Sequence, residues 1–176
     1  MTMNSRWLKD DTVTLRSPEP EDLELMYAME NDTTLWSAGN ATLPYSRYTL
    51  RAYLEQSRQD LLTERQARFV IELDGNSAGM IDLADYDPIN SRAEVCIGLL
   101  GKYRGQGIAS HALQLLCNYA RERLHLHQLY AYIPAWNESS IKLFENAGFK
   151  NIATLKEWQR EEDGYKDLFI MQKVLE

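Results

Sequence analysis

The stretch Arg104-Gly105-Gln106-Gly107-Ile108-Ala109 decides the fold. Before it runs Val95-Cys96-Ile97-Gly98-Leu99-Leu100, an apolar strand-like segment. After it, apolar residues recur at Ile108, Ala112, Leu115, Leu116 and Tyr119, a helical spacing. The reading is strand, glycine turn, helix. Glycines at a helix start let a ligand approach the backbone, and the exposed N–H groups and helix dipole favour an anion there. The sequence therefore proposes a phosphate or pyrophosphate cradle over residues 104–110. The plain alternative is a tight turn that needs glycine only for its geometry.

Two phosphate loops do not fit. A Walker loop ends in Gly-Lys-Ser/Thr, whereas residues 107–110 read Gly-Ile-Ala-Ser. A dinucleotide fingerprint requires a third glycine where Ser110 stands and an acidic residue about 20 positions on, and neither is present.

The chain has 176 residues, which suits a single domain over 1–176 with a substantial core. A hydrophobic share of 44% and a charged share of 26% describe an ordinary globular protein. No apolar run is long enough to suggest a membrane span, and the first residues lack the apolar segment of a signal peptide. The expectation is a cytoplasmic protein with no membrane partner. The net charge of −7 argues against nucleic acid and is permissive for a cationic substrate. Cys96 and Cys117 read as buried thiols, and the three histidines have no metal-ligand spacing with them, so no metal is expected.

Along the chain, residues 12–16 alternate as a short strand, and Pro20 with Glu21 and Asp22 starts a helix. A loop over residues 33–45 leads to a helix over about 46–64. Strand patterns follow near 69–73, 79–83 and 92–100. Beyond the central helix come a strand at 128–133, a helix over 137–147 ended by Gly148, and a hairpin over 152–160 and 165–174. The order predicts an α/β fold: a mixed, mostly antiparallel central sheet flanked by helices.

A second motif is Asn137-Glu138-Ser139-Ser140-Ile141-Lys142-Leu143-Phe144-Glu145-Asn146-Ala147-Gly148-Phe149. With residues 104–109 it resembles the two cofactor-binding segments of the GNAT superfamily of N-acetyltransferases. Ala67-Arg68-Phe69-Val70-Ile71-Glu72, Asp74-Gly75 and Arg92-Ala93-Glu94 are similar to spermidine N-acetyltransferases. The Asn-x-x-Ser element and final hairpin are equally similar to ribosomal-protein N-terminal acetyltransferases. The resemblance covers about residues 10–174.

It implies acetyl-CoA as cosubstrate. The N–H groups of Gln106, Gly107, Ile108, Ala109 and Ser110 would receive the pyrophosphate, and Arg104 and Gly105 would shape the loop. Ile97, Gly98 and Leu99 would pair with the pantetheine arm as if it were a strand. Asn137 would hydrogen-bond the arm from the other side, although its type and place also suit a helix N-cap.

Acetyl transfer to an amine needs a base for the ammonium, polarisation of the thioester carbonyl and a proton for the leaving thiolate. Glu94 is the candidate base. Strand alternation puts it with Cys96 and Gly98, opposite Ala93, Val95, Ile97 and Leu99. Its structural alternative is an ion pair with Arg92 or Arg68. A backbone N–H near residues 97–99 would polarise the carbonyl. Many relatives in the resembled family carry Tyr where this chain has Phe144, and Phe donates no proton. Ser140 is the candidate acid, with water and Tyr103, Tyr130 or Tyr132 as alternatives. Ser140 also reads as a serine of the helix start.

Asp82, Asp85 and Trp36 are the candidate acceptor-binding residues. Trp158 and Tyr165 would wall that pocket or belong to the core. The expected activity is acetylation of a primary amine, first a polyamine such as spermidine. A protein N-terminus and an acetyl-CoA-binding sensor with little turnover are the alternatives. The sequence leaves a homo-oligomer open.

Overall fold

The computed structural model describes residues 7–35, 43–57 and 60–176. The chain forms β1 (Thr14–Arg16), a 3₁₀ turn (Pro20–Asp22), α1 (Leu23–Glu30), α2 (Arg47–Gln56) and α3 (Leu61–Glu64). Then come β2 (Ala67–Leu73), β3 (Asn76–Asp87), β4 (Arg92–Leu99) and α4 (Ile108–Glu122). The last elements are β5 (Gln128–Pro134), α5 (Glu138–Asn146), β6 (Lys150–Glu161) and β7 (Gly164–Val174). Trp36 lies outside the described residues.

The single helix expected over 46–64 is two helices. Ser46 caps α2 by accepting the Thr49 N–H at 3.1 Å. Asp60 accepts the Leu62 N–H at 3.1 Å and starts α3 afresh. A side chain that takes a nearby backbone N–H competes with continuation of the helix.

The strands form one sheet in the order β1-β2-β3-β4-β5-β7-β6. Every neighbouring pair is antiparallel except β4 and β5. That parallel pair requires a crossover, which α4 supplies. The sheet is therefore mixed and mostly antiparallel, as the element order predicts.

The larger core lies between one sheet face and α4. Ile108, Ala112, Leu113, Leu116 and Ala120 of α4 are at most 2% exposed and meet Ala93, Val95 and Leu129 of the sheet. A smaller core on the other face joins Leu25, Met26 and Met29 of α1 and Leu50 of α2 to Val70 and Met80. Tyr132, on β5, stays 43% exposed, so this second helical layer stops short of it. Among the described residues no helix is long and apolar enough to cross a membrane.

The alternation of β4 decides where its side chains go. Ala93 and Val95 are buried, whereas Glu94 and Cys96 face the other side of the sheet. Cys117 is buried on α4, but Cys96 is exposed, contrary to the expectation for both thiols. Trp158 and Tyr165 are also corrected: both are more than 60% exposed and line neither core nor cleft.

The sheet depends on close contact between β3 and β4 at Gly79. A Cβ at this position would run into the Gly98 carbonyl oxygen and lie 2.9 Å from Leu99 Cα. Both obstacles are backbone, so no side chain can swing aside. Gly79→Ala is expected to lower unfolding free energy by about 1–3 kcal/mol through overpacking. Denaturant unfolding measures it, and unchanged stability would show that the strands separate without penalty.

Candidate active site

Parallel pairing joins Arg92 to Gln128, Ala93 to Leu129 and Glu94 to Tyr130, and then ends. Yet β4 runs on to Leu99 and β5 to Pro134. The strands part, and a cleft opens between their facing edges, with α5 on one side and the end of α1 on the other. Ile97 and Gly98 lie on its β4 wall, and Ala131, Tyr132, Ile133 and Pro134 on its β5 wall. Leu99 sits just beyond; its carbonyl accepts Arg104 Nε at 3.0 Å. Backbone amides seek hydrogen-bond partners. An extended ligand with its own amides can supply them, so the open edge suits the pantetheine arm of acetyl-CoA.

The glycine turn lies at the start of α4. Gly107 is its N-cap, held at φ +80°, and a Cβ there would meet no protein atom within 4 Å. The N–H groups of Gln106, Gly107, Ile108 and Ala109 find no acceptor among the described residues. Ser110 differs: its N–H donates to the Gly107 carbonyl at 3.0 Å, inside the helix. The cradle therefore offers four free donors rather than the expected five. Gly105 is also in the left-handed region, at φ +74°. Besides its bond to Leu99, Arg104 reaches Asp32 at 3.6 Å. These contacts fit a shaping role, since they tie the loop to β4 and to the segment after α1.

The α5 wall is set by its two caps. Asn137 Oδ1 accepts the Ser140 N–H at 3.1 Å and the Ser139 hydroxyl at 3.0 Å. The N-cap reading is therefore realised, and it uses the oxygen, leaving the amide NH₂ for a ligand. At the other end Phe149 N–H donates to Phe144 carbonyl and Gly148 N–H to Glu145 carbonyl, the Schellman pattern. Its usual apolar contact is the edge-on pair of Phe144 and Phe149, with centroids 4.9 Å apart. Phe144 is 2% exposed and forms part of the inner cleft wall. Ser140 lines the same wall from the first turn of α5.

Glu94 faces the cleft, and no arginine among the described residues pairs with it. Arg92 pairs with Asp87 at 3.2 Å, and Arg68 with Asp82 and Glu30, each at 2.9 Å. Its hydrogen-bond donor among the described residues is the Cys96 thiol, at 3.7 Å. Burial pushes the Glu94 carboxyl above its ordinary range; the thiol opposes this and the charge of Asp85 adds to it. A carboxylate so placed is a stronger base near neutral pH.

The candidate acceptor-binding acids lie differently from expectation. Asp82 lines the cleft, but its oxygens take the Arg68 guanidinium in a forked bond. Asp85 is not among the described lining residues. It sits at φ +46° in an irregularity of β3 and accepts the Tyr130 hydroxyl at 2.6 Å. Among the described residues the cleft lining thus holds three carboxylates, from Glu30, Asp82 and Glu94, against the single guanidinium of Arg68. Sequence reasoning did not place Arg68 at the centre of this group. The Arg68 and Asp82 register across β2 and β3 is the signal that could have found it, because opposite charges facing each other on one sheet side attract.

The acetyltransferase (GNAT) domain family matches residues 12–150. A spermidine N(1)-acetyltransferase of Escherichia coli K12 is 30% identical over 138 residues, which span 78% of this chain and 73% of that protein. The crystal structure of spermidine N-acetyltransferase from Vibrio cholerae in complex with CoA and spermine superimposes with a TM-score of 0.84 at 25% identity. The match covers 94% of this chain and 97% of that one. A putative ribosomal N-acetyltransferase of Bacillus subtilis, YdaF, is 34% identical over 76 residues, 43% of this chain and 42% of that protein.

Acetyl-CoA is expected to raise the melting temperature, because a ligand that binds only the folded state stabilises it. Gly107→Val places a branched side chain over the free donors and should abolish that rise. Differential scanning fluorimetry with and without acetyl-CoA reads both. A retained shift in the variant would remove the loop from cofactor binding.

Proposed function

This chain belongs to the GNAT family of acetyl-CoA-dependent N-acetyltransferases, and from that premise we propose that its acceptor is a polyamine, acetylated on a primary amino group. The carrying observation is the acid-rich cleft at the parting of β4 and β5, with Glu94 facing it and not paired to arginine. Excess negative charge in a partly dehydrated cleft attracts a polycation and orients its ammonium groups. The acceptor named for the relatives from Escherichia coli and Vibrio cholerae supports the same reading.

Acetyl-CoA, when bound, supplies an acetyl group activated as a thioester. The N–H groups of Gln106 to Ala109 and the positive end of α4 hold its diphosphate. The open β4 edge and the Asn137 amide hold its arm. A free N–H of this edge would polarise the thioester carbonyl. Glu94 takes a proton from the incoming ammonium, directly or through water, so that a neutral amine attacks. Glu30 and Asp82, arranged about Arg68, set the negative field that the rest of the acceptor meets. A hydroxyl on the cleft wall, where Ser140 and Tyr132 stand, returns a proton to the departing sulfur.

Thiol release from acetyl-CoA with a panel of polyamines, monoamines and N-terminal peptides tests the acceptor. Turnover is expected with polyamines, with KM rising as salt screens the cleft. Turnover with peptides alone would overturn the polyamine reading in favour of a protein N-terminus. Absence of turnover throughout would leave an acetyl-CoA-binding role.

The base has its own signature. Glu94→Gln should lower kcat by about 10²–10⁴-fold, the usual contribution of a general base. In the wild type, kcat/KM should rise with pH as Glu94 ionises. Asp85→Asn removes a negative charge that disfavours the ionised form, so this limb should move to lower pH. A pH–rate profile unchanged in both variants would place the base elsewhere.

A further inference from the structure

We infer that Tyr132, on the β5 wall of the cleft, is the general acid that protonates the leaving thiolate. The inference rests on the acetyltransferase reading and deepens it. It follows from an elimination among the proton donors near the cleft.

Phe144 has no proton to give, and its ring is held by Phe149. The Cys96 thiol already donates to Glu94, and although the residue as a whole is exposed, dehydration of its sulfur and the facing acids push it well above the usual thiol range. The Tyr130 hydroxyl is committed to Asp85 at 2.6 Å, and burial together with that bond pushes it well above the phenol range. Tyr103 packs against the α4 core, with the Lys102 ammonium 4.8 Å from its ring centre, and lines no part of the cleft. Among the described lining residues two hydroxyl side chains remain, Ser140 and Tyr132. Phenols ionise near 10 and thiols near 8.5, so proton transfer from phenol to thiolate is only slightly uphill. An aliphatic hydroxyl gives up its proton far less readily.

Placement agrees with the chemistry. Strand alternation puts Tyr132 on the face of its neighbour Tyr130, and the two rings meet edge-on at 5.8 Å and 82°. The bond from Tyr130 to Asp85 fixes the first ring, and the first ring steadies the second. The Tyr132 hydroxyl has no hydrogen-bond partner among the described residues and keeps access to the cleft. Asp85 and Tyr130 thereby become positioning residues for the acid.

The step balances. As the C–N bond forms and the C–S bond breaks, the Tyr132 hydroxyl gives its proton to sulfur. The nitrogen then sheds its remaining extra proton, which returns to the phenolate through water or Glu94. The other proton, lost from the ammonium before attack, leaves through Glu94 to solvent.

Two measurements test this on the full chain. The first is turnover of Tyr132→Phe, with Ser140→Ala beside it. Tyr132→Phe should lower kcat by about a hundredfold or more, within the range of a general acid, while the acetyl-CoA melting shift is retained. The deficit should shrink with an acetyl thioester of a more acidic thiol, whose sulfur leaves without a proton. A purely structural role would lower both donors alike. Ser140→Ala should cost less than Tyr132→Phe, and its deficit should not depend on the acidity of the thiol. The second is an ultraviolet titration of the thiolate of bound CoA, which needs no acceptor. A phenol hydrogen bond stabilises thiolate, so Tyr132→Phe should raise the pH at which bound CoA ionises. Glu94 and Cys96 of β4, Glu30 of α1, the Arg68–Asp82 pair of β2 and β3, and Asp85 and Tyr130 also surround this space, and all remain in the variant. Full activity of Tyr132→Phe, equal deficits with both thioesters, or loss carried instead by Ser140→Ala would overturn the assignment. If the wild type acetylates no amine, the functional reading fails, and the titration alone decides whether Tyr132 meets the sulfur.

Discussion

Backbone amides inside a protein must be hydrogen-bonded, and everything at this site depends on where two strands stop meeting that need for each other. β4 and β5 pair only as far as Glu94 and Tyr130. Past that point each keeps its other neighbour, β3 or β7, so neither strand dissolves. The result is a gap with rigid walls and unpaired inner edges. A ligand that is itself an extended chain of amides fits such a gap better than water does. The N-terminus of α4 presents its free N–H groups nearby, because α4 begins a few residues after β4 ends. One topological fact, a parallel pair that separates, brings an arm-binding edge into line with an anion cradle.

The two sides of the gap divide the chemistry. On the α5 side, apolar packing comes first: Phe144 closes the helix end against Phe149 and seals the wall from water. On the opposite sheet face, polar groups collect, because α1 and α2 cover only part of it. Glu94, Cys96, Tyr130 and Tyr132 all lie there, and Asp85 reaches in from a left-handed position on β3. The left-handed backbone at Asp85 is a local strain. It is matched by a hydrogen bond that fixes Tyr130. Removal from water raises the proton affinities of Glu94, Cys96 and Tyr130, and catalysis by proton transfer uses groups of this kind.

The cleft charge follows from cross-strand neighbours. Arg68 and Asp82 face each other across β2 and β3, and Glu30 descends from α1 to the same guanidinium. Had Arg68 turned to Glu94, the carboxylate would be stabilised as an ion and weakened as a base. Instead two other acids hold the arginine, and Glu94 keeps its raised proton affinity. A structural ion triad thereby protects the reactivity of a carboxylate it does not touch.

The local elements were legible in the sequence because periodicity and caps act over a few residues. The glycine turn opening α4, the Asn137 cap, the Gly148 stop and the alternation of β4 all follow from nearby side chains and backbone limits. The break between α2 and α3 was missed because Asp60 is a cap only by virtue of the bond it makes to Leu62. Asp82 and Asp85 read alike in the sequence as acceptor-binding acids, but only the assembled sheet shows one gripped by Arg68 and the other by Tyr130. Likewise, Tyr132 becomes a cleft residue only because β5 leaves β4 at Tyr130. Sequence by itself determined which segments form strands and helices, where the anion cradle begins and which face Glu94 shares. Tertiary structure decided the partners of each charge and hydroxyl, because those interactions join residues far apart in the chain, whose distances no local pattern records.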